Sequence, residues 1–276
     1  MTEPNFHKAG KGRGEELWPS FIRRECKLSA ECSRYSYLDV SPSCVLKIFF
    51  VVAPVDFVGS MVHVRNDDIH LVHTAVAVES VGWSHPDYFV FMLLQTMVGS
   101  WDRSLGGGKN LSSRVCENFA TEELAHSLMS FNTCYHNTGL FGAYIVGEKD
   151  KTQDAVFEVV AEWARLANKA TDFEVENAKA RLKSTFLMQL DGTQSVCEDI
   201  GRQLLTLSRR LTPAEIFLRI DAINADTVRS VAKRFLYDVD PAVAAVGYVD
   251  SKYFPDYNEI RGWYAPLLAV LFVVFF

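Results

Sequence analysis

Apolar positions first fall into register at Leu71–Glu79, where Val72, Thr74, Val76 and Val78 share one face and Ala75 and Ala77 line the other. A period of two predicts a β-strand, and the apolar character of both faces predicts a sheet that is covered on each side. Pro86 then stands where a first helical turn tolerates proline, with Ser84 as its cap. Phe89, Leu93, Leu94 and Met97 follow at helical spacing and predict an amphipathic helix. After a glycine-rich stretch, Ser127–Tyr135 and Leu140–Val146 are strand-like, and His136-Asn-Thr-Gly139 between them supplies turn chemistry, so a hairpin is expected.

Helical signals dominate the next hundred residues. Thr171-Asp-Phe-Glu174, Ser195-Val-Cys-Glu198 and Thr212-Pro-Ala-Glu215 each have the form of a capping box, which satisfies two orphan N–H groups. Such a cap contributes about 1 kcal/mol, enough to fix where a helix begins. A further helix is expected over residues 224–236 on Val228, Val231, Ala232 and Phe235, and a closing strand over Ala242–Val249. Strands, a helix, a hairpin, several helices and a last strand predict an α+β fold with helices packed on one face of a mostly antiparallel sheet.

Composition changes this picture little. The 276 residues are 49% hydrophobic and 22% charged, and 28 basic against 34 acidic residues leave a net charge of −6. Nucleic acid is not an expected partner, because phosphate binding needs a concentrated basic patch. Cys26, Cys32, Cys44, Cys116, Cys134 and Cys197 form no C-x-x-C pair and read as reduced thiols. The chain divides into an irregular segment, 1–56, a patterned domain, 57–262, and an apolar tail, 263–276. Glu3, Glu15 and Glu16 interrupt the basic residues near the start, so no transit peptide is evident there.

Within the patterned domain the motifs come in a specific order. Val81-Gly-Trp-Ser-His-Pro-Asp87, Gly99-Ser-Trp-Asp-Arg103 and Gly106-Gly-Gly-Lys-Asn-Leu-Ser-Ser113 are followed by Ser130-Phe-Asn-Thr-Cys-Tyr135 and Thr138-Gly-Leu-Phe-Gly142. Leu190-Asp-Gly-Thr193, Glu198-Asp-Ile-Gly-Arg-Gln203 and Pro255-Asp-Tyr-Asn-Glu-Ile-Arg261 complete the series. In these motifs the chain resembles peptidase family M16, in particular the beta-type subunits of mitochondrial processing peptidase and the core proteins of the cytochrome bc1 complex. The match falls on the second of that family's two α+β halves. The resemblance implies a mitochondrial location on the matrix side, a partner that is another M16-type subunit or half, and presequence peptides as a possible ligand. It also implies either a non-catalytic role or a share in a zinc endopeptidase whose catalytic half lies elsewhere.

The family's zinc motif, H-x-x-E-H, places two imidazoles one helical turn apart on one ion with a carboxylate beside them. The seven histidines here stand at 7, 63, 70, 73, 85, 126 and 136, and no two are four apart. No zinc ligand set and no catalytic residue are therefore expected in this chain. His70-Leu-Val-His73 is the nearest imitation, but residues three apart on a strand face opposite sides.

By the same resemblance, Gly106, Gly107, Gly108 and Tyr135 are candidates for peptide contact, although glycines also punctuate loops and tyrosines also fill strand edges. The glycines lack the G-x-x-x-x-G-K-[ST] spacing of a phosphate loop. Glu198 is expected as a cap that also pairs with Arg202 one turn on, and Asp67-Asp68 and Arg209-Arg210 as solvated charges. The 12 residues from Ala265 to Phe276 would reach only about 18 Å as a helix, short of a bilayer's roughly 30 Å core. They are expected to be buried or to form an interface, so membrane association would be indirect or through this tail.

Overall fold

A computed structural model describes residues 57–107, 111, 113–249 and 254–263. The segment 1–56, Gly108 and residues 264–276 lie outside the described residues, and with them the expectations made for the first segment and the tail.

Six strands form one sheet: β1 (Ser60–Arg65), β2 (Val72–Ser80), β3 (Ser100–Asp102), β4 (Ser127–Cys134), β5 (Gly139–Gly147) and β6 (Ala242–Gly247). Their order is β1-β6-β2-β5-β4-β3. Only the β1–β6 pair is parallel, so the sheet is mostly antiparallel, as the pattern predicts. The predicted hairpin is β4–β5, with Ser127 opposite Val146 and Cys134 opposite Gly139.

One face of the sheet carries the core. Val76 and Val78 of β2, Phe141, Ala143 and Ile145 of β5, Leu128 of β4 and Val243 of β6 all point into it. Against them pack α1 (Tyr88–Val98), α2 (Arg114–Thr121), α3 (Thr152–Lys169) and α4 (Asp172–Gln189), together with α7 (Ala225–Phe235). The helix α1 buries seven of its 11 residues, as its nearly unbroken apolar sequence requires. In α3, Val156, Val159, Val160, Trp163 and Leu166 keep the i, i+3, i+4, i+7 spacing and turn one stripe to the sheet.

An aromatic knot ties these helices to the middle of the sheet. Phe91 of α1 stands edge-on to Phe141 of β5 at 5.7 Å and to Phe235 of α7 at 5.3 Å. Trp163 of α3 approaches the Phe141 ring at 5.9 Å. Edge-to-face contacts of this kind add about 0.5–1.5 kcal/mol beyond the burial of area.

Several local expectations are corrected. The cap of α1 is Asp87 rather than Ser84, and the Asp87 N–H donates to His85 Nδ1 at 3.1 Å. Thr171 and Glu174 form a complete capping box at α4. At α6 (Pro213–Asp221), Thr212 Oγ1 accepts from the Glu215 N–H, but the Glu215 carboxylate turns to Arg209 and Arg219. The Ser195–Glu198 box does not form, because α5 (Thr193–Leu207) starts three residues earlier, with Gly192 rather than Ser195 as its cap. Among the described residues no ion pair joins Glu198 to Arg202, since Glu198 accepts from Gln194 and Arg202 lies over the Trp83 ring. Asp67 and Arg209 are paired with Arg65 and Glu215 rather than left to solvent alone. A short α8 (Tyr257–Gly262) completes the described chain.

The fold makes a direct prediction about the knot. Phe141→Ala removes the ring that both Phe91 and Trp163 contact, so it should destabilise the protein by about 3–5 kcal/mol in equilibrium denaturation. A loss below 1 kcal/mol would show that the knot does not hold the helices to the sheet.

Candidate functional site

The second face of the sheet carries no helix among the described residues. Register places Val62 and Val64 of β1 beside Ala244 and Val246 of β6, then His73, Ala75 and Ala77 of β2, then Gly142, Tyr144 and Val146 of β5, then Met129 and Phe131 of β4. The expected cover on both sides of β2 is therefore not found. Among the described residues the large side chains beside Ala75 and Ala77 are Tyr144, opposite Ala75, and Phe131, whose ring lies over Gly142 opposite Ala77. At the ends of the row Val62 is 58% exposed and Met129 53% exposed, a broad apolar surface for a water-facing sheet. The polar spot within it is a hydrogen bond between His73 Nδ1 and the Tyr144 hydroxyl at 2.7 Å.

Tyr135 stands at the rim of this face, directly after β4. Its backbone is fixed on both sides: its N–H donates to Thr138 O at 2.8 Å, and its carbonyl accepts from Trp83 N at 3.1 Å. Glycine makes that junction possible. A Cβ on Gly82 would come within 2.5 Å of the His136 carbonyl, and one on Gly139 within 2.4 Å of Ser80 Oγ. The Tyr135 side chain is half-exposed and its phenol is available as a hydrogen-bond donor.

Beside Tyr135 the chain is a sheet edge. The short β3 pairs only with Ser127–Met129, which leaves Phe131–Cys134 of β4 at the border. An extended peptide can add to such an edge through its own main chain. Behind the edge, the half-buried Tyr88 packs against Trp83 at 5.1 Å, and the desolvation of its hydroxyl raises its pKa. Burial also pushes the Cys134 thiol up to about 11. Arg202 of α5 lies 5.4 Å above the Trp83 ring, so α5 is anchored at this same rim. Sequence reasoning missed that anchor, because Trp83 and Arg202 stand far apart in the chain.

The glycine-rich stretch lies elsewhere. Gly106 has a φ of 71°, ends the 3-10 turn Arg103–Leu105, and its carbonyl accepts from Trp101 Nε1 at 3.0 Å. β3, which leads into this turn, pairs with the start of β4, whereas Tyr135 follows its end. Eight residues of strand separate the two by about 27 Å. Gly106 and Gly107 are thus not brought together with Tyr135. Gly106 needs its glycine for a positive φ, which the sequence signals only as a loop.

No group of three His, Cys, Asp or Glu side chains able to hold a metal ion occurs among the described residues. His73 lies in β2, while His70 stands before it, beside Glu148 and Tyr248. The residues present do not fit the zinc chemistry of an H-x-x-E-H site. What the face and its rim offer is apolar area, main-chain edge and one exposed phenol, which suits the binding of a peptide or a protein surface.

Residues 47–182 match the family model described as the Peptidase M16 inactive domain. The chain is 49% identical over 208 residues to mitochondrial-processing peptidase subunit beta of Dictyostelium discoideum, which covers 75% of this chain and 44% of that protein. It is 47% identical over 208 residues to the subunit of the same name from Homo sapiens, covering 42% of it. Among solved structures, a chain of complex III2 from Candida albicans with Inz-5 bound superposes with a TM-score of 0.71 at 25% identity, over 76% of this chain and 50% of that one. The chain thus spans less than half the length of these curated relatives.

The raised Cys134 pKa sets a reactivity order. Only the thiolate attacks iodoacetamide, so at pH 8 Cys134 should alkylate on the order of a hundredfold more slowly than the exposed Cys197, and should catch up as pH rises toward 11. Mass spectrometry of the two peptides reads this directly. Equal rates at pH 8 would contradict the burial of the rim.

Proposed function

Because the chain belongs to peptidase family M16, through a domain of the type described as inactive, we propose that it serves as a non-catalytic half that docks on a complementary M16-type half. The observation that carries this is a pair of apolar surfaces that no other described residue covers. One is the open sheet face. The other is α5, a 15-residue amphipathic helix in which Gln203 is the only buried residue. Leu204 and Leu205 stand exposed on α5, as do Leu187 and Met188 at the end of α4. Each uncovered leucine is worth roughly 1.5–3 kcal/mol when fully buried, a strong drive to association.

The curated relatives are more than twice as long as the matched region, so a second half is the natural occupant for these surfaces. The names of the similar proteins support a mitochondrial setting, in presequence processing or in a complex III-like assembly. A presequence peptide would lie extended along Phe131–Cys134 with Tyr135 donating to its main chain. The absence of a histidine pair supports a reading in which zinc belongs only to the partner half.

The second reading is a share in catalysis: the chain completes a zinc endopeptidase once a catalytic half is present. The names of the relatives favour it, and it differs from the first reading only in whether the assembled pair cleaves.

Two outcomes are expected. In sedimentation velocity at micromolar concentration the chain should self-associate or pair with a supplied M16 half. L204K/L205K should shift it to monomer while leaving its circular dichroism unchanged. A wild-type chain that stays monomeric and does not pair would sink the docking proposal. Metal analysis of the purified chain should find well below one zinc per chain and no cleavage of a presequence peptide. Stoichiometric zinc, or turnover by the chain alone, would overturn the non-catalytic reading.

A further inference from the structure

The end of β4 carries main-chain groups without partners. The Tyr135 N–H donates to Thr138 O on the β5 side of the hairpin. In an antiparallel pair the direction of these groups alternates, so Ser130, Asn132 and Cys134 turn their N–H and C=O away from β5. Ser130 finds partners there: its N–H donates to Gly99 O at 3.2 Å, and its carbonyl accepts from Gln95 Nε2 at 3.2 Å. Among the described residues nothing does the same for the main chain of Asn132 or Cys134. Their side chains face each other instead, with Asn132 Oδ1 accepting from Ser80 Oγ at 3.3 Å and from Cys134 Sγ at 3.6 Å. The open stretch is short, since β3 covers β4 as far as Met129.

A cation stands beyond the Tyr135 end of this stretch. The Trp83 N–H donates to the Tyr135 carbonyl at 3.1 Å, which ties Trp83 to the chain directly after β4. Over the Trp83 ring, at 5.4 Å, lies the Arg202 guanidinium. Arg202 is exposed, and among the described residues no carboxylate pairs with it. The acids next to it on α5 are engaged by glutamines: Gln194 Nε2 donates to Glu198 at 3.1 Å and Gln203 Nε2 to Asp199 at 2.8 Å. The Tyr88 hydroxyl marks the neighbourhood. Desolvation is the main cause of its raised pKa, Cys134 and Asp199 add to the rise, and Arg202 opposes it. The end of β4 and the guanidinium thus act on one hydroxyl.

Strand direction decides which end of a peptide meets that cation. A peptide parallel to β4 brings its C-terminus to the Tyr135 end, whereas an antiparallel one brings its N-terminal ammonium there, against a like charge. The indole face holds the guanidinium in place and leaves its N–H donors free for a carboxylate. Free main-chain groups on a strand edge, beside a cation at the end of that edge, are the elements that capture a peptide C-terminus.

We propose that this rim binds the free C-terminus of an extended peptide, its last residues pairing with Asn132 and Cys134 and its carboxylate held by Arg202. The inference rests on the reading of Phe131–Cys134 as a peptide-binding edge, and adds to it a direction and a terminal group.

Fluorescence anisotropy on the full chain tests this at low salt. The probe is an N-terminally labelled hexapeptide of alternating threonine and valine, made once with a free C-terminal carboxylate and once as the amide. The acid should bind at least threefold more tightly than the amide. Arg202→Gln should weaken the acid to the level of the amide and leave the amide unchanged. Arg210→Gln, at an exposed arginine that follows α5, should keep the preference. Arg202 is exposed, so R202Q should retain the parent's circular dichroism, and the acid–amide comparison on the parent chain stands without it. A preference below threefold, or one that survives in R202Q, would overturn the proposal while the edge reading stands. Binding of neither peptide up to about 100 μM chain would overturn the edge reading and the proposal with it.

Discussion

Among the described residues, a six-stranded sheet carries helices on one face only, and the rest of this structure depends on that constraint. The aromatic knot of Phe91, Phe141, Trp163 and Phe235 binds α1, α3 and α7 to that face and uses the helices' apolar stripes in doing so. Nothing comparable remains among the described residues for the other side. Val62, Val64, Met129 and Val246 therefore meet water, and α5 turns its leucines outward. Among the described residues this build leaves a packed core on one side and apolar area facing water on the other. The docking proposal is the physical consequence.

How much of this was readable in advance follows from the range of each interaction. β2, the β4–β5 hairpin and the α4 capping box are set by residues within a few positions of one another, and periodicity and turn chemistry exposed them. The start of α5 was misplaced because Gly192 can cap as well as Ser195, and local chemistry alone does not choose between them. The role of Arg202 was missed because its partner, Trp83, is over a hundred residues away. The sheet's open face was also misjudged: small residues such as Ala75 and Ala77 look buried whether a layer or a bulky neighbour shields them.

The candidate site was legible to a similar degree. Tyr135 could be singled out by motif, and the structure explains its fixed backbone through the close approach at Gly82 and Gly139. The glycine-rich stretch could be found but not located relative to Tyr135. The missing histidine pair needed no structure, because spacing alone forbids the motif.

The central claim is that the open sheet face and α5 are covered by another M16-type half. Hydrogen–deuterium exchange on this chain, alone and mixed with the separately expressed first half of the Dictyostelium relative, tests it most directly. The account predicts added protection in α5 and in β1 and β6, with little change in α3 and α7. Protection confined to the helical side, or none at all despite complex formation, would contradict it.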